Sequence, residues 1–353
     1  MFNPQYTLTH KILNNLLRIA EIKSLVAHTP ILPKEQAKLR RQALISMVHS
    51  STSIEGNPLA RFEVERIIVG DKIDAPGRDI HEIKNYQDAL WFIDHFSKGK
   101  KKITTSTILE IHRLLTKNTI DKEKCGCFRK DKVYVVKLRG LKTEIVYTGP
   151  KANRVPKLVE DLVNWLIKTE KENLCPPIAA GLAHYELASI HPFADGNGRT
   201  ARALAALVLW SRGYDFKKLF ALEDYYNKDR QAYYKAIHTG KTYQARRGRD
   251  LIGWLDYFIE GFRVSMEQVE RKIIPLSVDF KVRRKLGGPV YLDKTQARIL
   301  DFLITTGTID SRDVARMFRV NKRTAQRYLN TLAKTKLIRR QGKGPATFYT
   351  LNI

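Results

Sequence analysis

The chain has 353 residues, 43% of them hydrophobic and 28% charged, a balance that sustains a packed core and excludes a disordered or collagen-like chain. Lys and Arg total 63 against 36 Asp and Glu, a formal charge of +27, which points to acidic partners such as nucleic acid, nucleotide or an anionic protein, with a basic solvated surface as the plain alternative. Cys125, Cys127 and Cys175 cannot all pair, a zinc site needs more ligands, the N-terminus lacks a signal-peptide core, and no apolar run reaches the ~18 residues of a membrane span. A soluble protein of the reducing cytoplasm, without a membrane partner, is expected.

The length predicts two or three domains. Residues 6–27 place Ile12, Leu16, Ile19, Ile22 and Leu25 at helical spacing, closed by the turn T-P-I-L-P. A second helix from about Lys34 runs toward S-S-T-S-I-E-G-N-P-L, where Gly56 ends it and Asn57-Pro58 open the next turn. From Asp79 to Phe96 the residues Ile83, Tyr86, Leu90, Ile93 and Phe96 face inward along a helix, and another helix covers about Ser106 to Leu115. His112 and His184 have no metal-spaced partners and read as structural. The strand signal is V-Y-V-V-K-L-R-G-L-K-T-E-I-V-Y-T-G-P, two β-branched and aromatic runs about Gly140 that predict a hairpin.

The chemistry gathers in S-I-H-P-F-A-D-G-N-G-R-T-A-R, Ser189 to Arg202. Leu182, Tyr185, Leu187 and Ile190 keep helical spacing up to His191, where Pro192 disfavours continuation. Gly196 and Gly198 let the chain turn, and a new helix begins at about Arg199. Free backbone N–H groups from Gly196 to Arg199, with a helix-dipole charge of roughly +0.5, form an anion cradle suited to phosphate. His191, whose ordinary pKa is about 6.5, is the candidate general base. Asp195 is a hard oxygen ligand for magnesium, and Arg199 and Arg202, three apart on one helical face, can grip phosphates. Phe193 reads as a core plug. The pattern predicts phosphoryl or nucleotidyl transfer.

Past the motif, Tyr226, Tyr233 and Tyr234 fall on or beside a helix, with Gln231 near them, and a longer helix spans about Asp250 to Ile273. K-V-R-R-K-L-G-G-P then reads as a linker. Beyond Leu292 come one helix, a second opening at Ser311, a third opening at Asn321, and a terminal hairpin with a Gly-rich tip. This resembles a winged helix-turn-helix module, a fold that serves DNA binding or protein contact. Its third helix would present Lys322, Arg323, Gln326 and Arg327 to double-stranded DNA, with Arg339, Arg340 and Lys343 on the wing.

H-P-F-A-D-G-N-G-R-T-A-R matches, at each specified position, the signature HxFx(D/E)GNGRxxR of the Fic family, whose members mostly transfer AMP from ATP to a target hydroxyl. The resemblance covers roughly residues 40 to 260. It implies His191 as the base, Asp195 as the magnesium ligand, and the backbone of Gly196, Asn197, Gly198 and Arg199 as the cradle for ATP. Ser51-x-x-x-Glu55-Gly56 resembles the inhibitory motif (S/T)xxxE(G/N), which implies that Glu55 pairs with Arg202 and blocks productive ATP binding. G-C-F-R and Y-T-G-P resemble the boundaries of the Fic flap, which implies a hairpin that pairs with an extended segment of a target protein. The resemblance also suggests Tyr226 and Tyr234 as residues around the adenosine.

The expected architecture is mainly α: a Fic-type helical core with a β-hairpin flap and a small C-terminal winged helix-turn-helix domain. Residues 1–75 form an N-terminal helical region with the inhibitory motif, 76–275 the catalytic core, 276–291 a linker and 292–353 the winged helix. The expected activity is self-inhibited AMP transfer from ATP, with Mg²⁺, to Ser, Thr or Tyr hydroxyls of a target or of the chain itself. Expected partners are a target protein, DNA and a second copy of the chain. The alternatives are a DNA-binding regulator that senses nucleotide, and a Fic enzyme that moves another phosphate-containing group or removes AMP.

Overall fold

A computed structural model describes residues 2–99, 101–139, 142–277, 292–342, 344 and 347–352, with the backbone alone at 137–139 and 142–143. The architecture is mainly helical, with two small antiparallel hairpins among the described residues. Contacts divide the chain into two units: Met1–Lys23 with Gln42–Glu267, and Ser24–Arg41 with Gln268–Ile353. Residues 24–41 of the expected N-terminal region thus pack with the C-terminal residues. Most of the expected 276–291 linker lies outside the described residues.

The helices of the first unit are α1 (His10–His28) and α2 (Pro33–Ile54), both shared in part with the second, then α3 (Arg61–Ile68), α4 (Gly77–Lys98) and α5 (Thr105–Thr116). The hairpin β1 (Tyr134–Arg139) and β2 (Lys142–Thr148) follows, then α6 (Val155–Lys171), α7 (Pro176–Ile190) and α8 (Asn197–Ser211). Short α9 (Leu222–Lys228), α10 (Arg230–Ile237) and α11 (Tyr243–Arg246) precede α12 (Ile252–Ile273). Nearly every side chain, the charged Arg199 and Arg202 of α8 included, is buried in α7 and α8. They pack against each other, and α4 and α5 pack on α8, so the turn between α7 and α8 is held from several sides.

The hairpin pairs Val136 with Ile145 and Tyr134 with Thr148, with a bulge between Val135 and Val136. Its inner end is fixed by Tyr147, buried, whose hydroxyl donates to the Ser189 carbonyl, and by the Thr148 N–H, which donates to Lys241 O at 2.9 Å.

In the second unit α13 (Lys294–Thr306), α14 (Ser311–Phe318) and α15 (Lys322–Lys334) precede the hairpin of β3 (Ile338–Gln341) and β4 (Phe348–Leu351). Ile299, Leu303, Val314, Leu329, Leu332 and Tyr349 form its core, with Leu32 packed against it. Asp293, Asp310 and Asn321 cap the three helices by accepting backbone N–H bonds, which satisfies donors the helices leave open.

Candidate functional site

α7 delivers His191 in an uncommon backbone state. Its N–H still closes the helix on Leu187 O at 3.0 Å, yet φ is 51° and ψ 60°, left-handed values that cost a residue with a Cβ about 1–2 kcal/mol. Arg129 holds it there. The Arg129 side chain donates to His191 O at 2.8 Å, Asp131 O at 2.6 Å and Pro150 O at 2.6 Å, and its backbone N–H donates to Pro192 O at 3.0 Å. One buried guanidinium therefore ties both feet of the hairpin to the motif loop. In the sequence Arg129 stands out only within G-C-F-R, because two of its three carbonyl partners, Pro150 and His191, lie far along the chain.

The His191 ring is oriented by Nδ1, 3.1 Å from Ala188 O. A carbonyl can only accept, so Nδ1 carries the proton and the Nε2 lone pair is free to take another. Burial lowers the imidazole pKa to about 4; the Ala188 bond and Glu55 oppose this, while Arg129 and Arg246 push it further down. At neutral pH the ring is an unprotonated base.

The loop closes through Asn197. Its Oδ1 accepts from Phe193 N and its Nδ2 donates to Phe193 O, both at 2.9 Å. The Asn197 side chain is thus occupied within the loop. Phe193, fully buried, stacks on His112 with centroids 3.7 Å apart. His112 Nδ1 accepts from Gly126 N at 3.0 Å, so Nε2–H donates to Asp195 O at 3.0 Å. Gly196 takes φ 75° as the residue before α8, and α8 begins at Asn197, two residues before the expected start at Arg199. The anion cradle of N–H groups is therefore the first turn, Asn197 to Arg199.

A carboxylate already lies against that turn. Arg202, 2% exposed, donates through Nε to Ser51 Oγ at 2.8 Å, and through Nη2 to Ser51 O at 2.9 Å and Glu55 Oε1 at 2.8 Å. A Cβ added to Gly198 would collide with Glu55 Oε1, so the carboxylate sits where a phosphate oxygen would approach the backbone. Burial would lower the Arg202 pKa, but Glu55, with Tyr233 and Tyr86, raises it above its ordinary value. Arg199 goes elsewhere. Its Nη1 lies 3.2 Å from Glu82 Oε1 and its Nη2 3.6 Å from Asp195 Oδ1. Asn57 Nδ2 donates to the second Glu82 oxygen at 3.0 Å, so the segment bearing Glu55 touches the surroundings of both arginines. In the sequence Asn57 marked only the opening of a turn, and Glu82 carried no signal.

Residues 102–209 match the model of the Fic/DOC family. The chain carries a Fic/DOC domain. Protein adenylyltransferase Fic of Nematostella vectensis is 31% identical over 178 residues, 49% of this chain and 39% of that protein. Protein adenylyltransferase fic-1 of Caenorhabditis elegans is 31% identical over 182 residues, 50% of this chain and 34% of that protein. The chain thus spans less than half the length of these curated relatives. Among solved structures, a Fic family protein from Desulfovibrio desulfuricans G20 superposes with a TM-score of 0.63 at 24% identity, covering 99% of this chain and 98% of that one. C. elegans Fic-1 superposes at 0.60 with 24% identity, covering 74% and 72%. These likenesses show the Fic fold.

Within the Fic domain Asp195 is 43% exposed; its Oδ1 accepts from Gly196 N at 2.6 Å and its Oδ2 lies 3.4 Å from Arg78 Nη2. No group of three metal-binding side chains occurs among the described residues. One exposed carboxylate fits a magnesium ion whose remaining ligands are phosphate oxygens and waters, the usual mode for that ion.

The two tyrosines expected around adenosine part ways. Tyr226 is 1% exposed and packed against Tyr233 at 4.8 Å, His184 and Tyr257, so it offers a ligand no surface. Tyr234 is 49% exposed and its hydroxyl donates to Ile54 O at 3.3 Å, next to Glu55. Gln231 is exposed on the same short helix, and Tyr134, Val136 and Ile145 leave an apolar strip exposed on the hairpin.

On α15, Lys322, Arg323 and Arg327 are exposed as expected. Gln326 is not free to read a base. Its Nε2 donates to Tyr349 Oη at 2.6 Å and Asn330 Oδ1 at 3.2 Å, tying α15 to β4. Arg339 and Arg340 are exposed on β3, each donating to a threonine hydroxyl on the paired strand side at 3.3 Å, and Lys343 lies outside the described residues.

Proposed function

We propose that the chain is a self-inhibited protein adenylyltransferase that moves AMP from ATP to a Ser, Thr or Tyr hydroxyl. The observation that carries this reading is the Glu55 carboxylate lodged against Gly198 and ion-paired to Arg202, beside a His191 whose free Nε2 is a base at neutral pH. The hydroxyl oxygen attacks the α-phosphorus, its proton passes to His191 Nε2, and the P–O bond to pyrophosphate breaks. The N–H groups of the first turn of α8 receive phosphate oxygens, and Arg202 takes the terminal phosphate once Glu55 withdraws. Asp195 would hold Mg²⁺, which when bound neutralises phosphate charge. Arg199, gripped by Glu82, supplies a fixed positive charge beside Asp195. Tyr234 flanks the adenosine, and the exposed strip of the hairpin pairs with the extended target segment.

The domain closeness to named adenylyltransferases supports the choice of AMP over other groups. The test is incubation of Glu55→Gly protein, alone and with a cell lysate, with Mg²⁺ and ATP labelled at the α- or γ-phosphate, against His191→Ala. Protein label from the α-position only, lost with His191, is the expected result. Label from the γ-position would reassign the reaction to phosphate transfer, no label from either would favour a nucleotide sensor, and release of AMP from a modified target would favour the reverse reaction.

For the C-terminal unit we propose a winged helix that binds double-stranded DNA through exposed Lys322, Arg323 and Arg327 on α15, with Arg339 and Arg340 of the wing on the backbone. A reducing cytoplasm suits the three free cysteines.

A further inference from the structure

Glu55 balances the charge of Arg202 only while the inhibitory segment is docked. When it leaves, and before any phosphate arrives, a guanidinium 2% exposed would stand without an opposite charge, which is costly in a protein interior. The surroundings of Arg202 hold a second acid. Glu223, on α9, is buried; its Oε1 accepts from Tyr86 Oη at 3.0 Å and its Oε2 has no hydrogen-bond partner among the described residues. Glu223 and Arg202 line one cavity of about 10 Å³, together with His184, Tyr226 and Met47. Four buried atoms without hydrogen-bond partners belong to residues of this lining: Arg202 Nη1, Glu223 Oε2, His184 Nδ1 and Tyr226 Oη. The space suits about one water, and a water bridging such groups is a usual way in which buried polar atoms are satisfied.

We propose that Glu223 is the inner counter-charge of Arg202, a positioning residue that holds the guanidinium in place through their shared cavity when Glu55 withdraws. Burial pushes the Glu223 carboxyl up to about 7, while its own backbone N–H, the Tyr86 hydrogen bond and Arg202 draw it down and Asp224 raises it. The groups facing it are Tyr86 of α4, His184 of α7, Arg202 of α8, and Asp224 and Tyr226 of its own helix. Burial keeps His184 neutral and both tyrosines protonated, which leaves Arg202 and Asp224 as the charges that act on it. With Glu55 docked, Glu223 keeps its proton for much of the neutral range. With Glu55 withdrawn, the unbalanced guanidinium favours the ionised carboxylate, and the proton goes to solvent.

The test needs no enzymatic activity, so its outcome is independent of the transfer reaction. Thermal unfolding of the full chain is compared for the parent, Glu55→Gln, Glu223→Gln and the double variant, and again with Arg202→Met in each. The double variant should lose at least roughly 3 °C more than the two single losses combined. That excess should vanish in the Arg202→Met series, where no buried cation remains. Additive losses, or an excess that survives Arg202→Met, overturn the proposal. A double variant that does not fold should fold again with Arg202→Met, and failure to do so also overturns it.

A pH series separates this role from plain packing. A folded-state value raised above the ordinary 4.5 means that the folded chain holds more protons between about 4.5 and 7, so stability falls as pH rises through that window. Measured against Glu223→Gln, this fall should be smaller and end at lower pH in the Glu55→Gln background than in the parent. The same fall in both backgrounds overturns the proposal.

Discussion

The first two turns of α8 and of α15 both carry basic side chains, and the structure treats them oppositely. Arg199 and Arg202 are buried, and each meets an acid distant in the chain, Glu82 of α4 or Glu55 in the turn after α2. Lys322, Arg323 and Arg327 stand exposed. A buried cation acts through its partner: change the partner and the cation must find another anion or pay desolvation in full. An exposed cation acts through its field and number, which salt screens.

The sharpest way to break the comparison is to remove the base that the buried side serves. His191→Ala should lower AMP transfer about 10²–10⁴-fold while leaving far-UV circular dichroism unchanged. A loss of less than tenfold would mean that chemistry on His191 does not limit the rate. Next in size is release of the partner acid. Glu55→Gly should raise transfer roughly ten- to a hundredfold, since a hydrogen bond to a charged group is worth about 1.5–3 kcal/mol. Unchanged transfer in a labelled-ATP assay would detach Glu55 from the control of Arg202.

The base itself supplies a pH signature. With the folded pKa of His191 lowered to about 4 by burial, kcat/KM in the Glu55→Gly protein should fall on the acid side near or below pH 4, not near 6.5. The direction is fixed by Glu55, which raises the His191 value, so its removal moves the limb further down. An acid limb at pH 6–7 would show the imidazole to be solvated.

The smallest effects belong to the exposed side. Each of Lys322→Ala, Arg323→Ala and Arg327→Ala should reduce the salt slope of DNA affinity by about 1, measured by fluorescence anisotropy on a duplex of mixed sequence. Gln326→Ala should instead leave that slope alone and cost about 1 kcal/mol of stability in thermal unfolding, because it loses bonds to Tyr349 and Asn330. The opposite pattern would return Gln326 to the DNA face.

Much of this was legible in the residues. Apolar periodicity set out α4 and α7, helix-opening residues marked the C-terminal helices, and Gly140 marked the hairpin, because these signals depend on neighbours within a few positions. The start of α8 was placed two residues late, since Asn197 and Gly198 are poor helix formers and only the Phe193–Asn197 clamp and the Thr200 bond to Gly196 O show that the helix includes them. Tyr226 could not be told from Tyr234 by spacing, because what separates them is which one is enclosed by His184 and Tyr257 in the core.

The sequence by itself determined the kinds of groups present and their local order: a histidine ending one helix, a glycine-rich turn opening the next, a lone acid between them, and an acid–glycine turn after α2. Only the tertiary structure decided which charges meet. Glu55 reaches Arg202 across 147 positions, Tyr86 reaches Glu223 across 137, and Arg129 reaches the His191 carbonyl across 62. Local pattern reports propensity within a turn or two of chain. A pairing between distant residues is fixed by the packing of whole helices and by the need to satisfy each buried charge, and neither leaves a mark on adjacent residues.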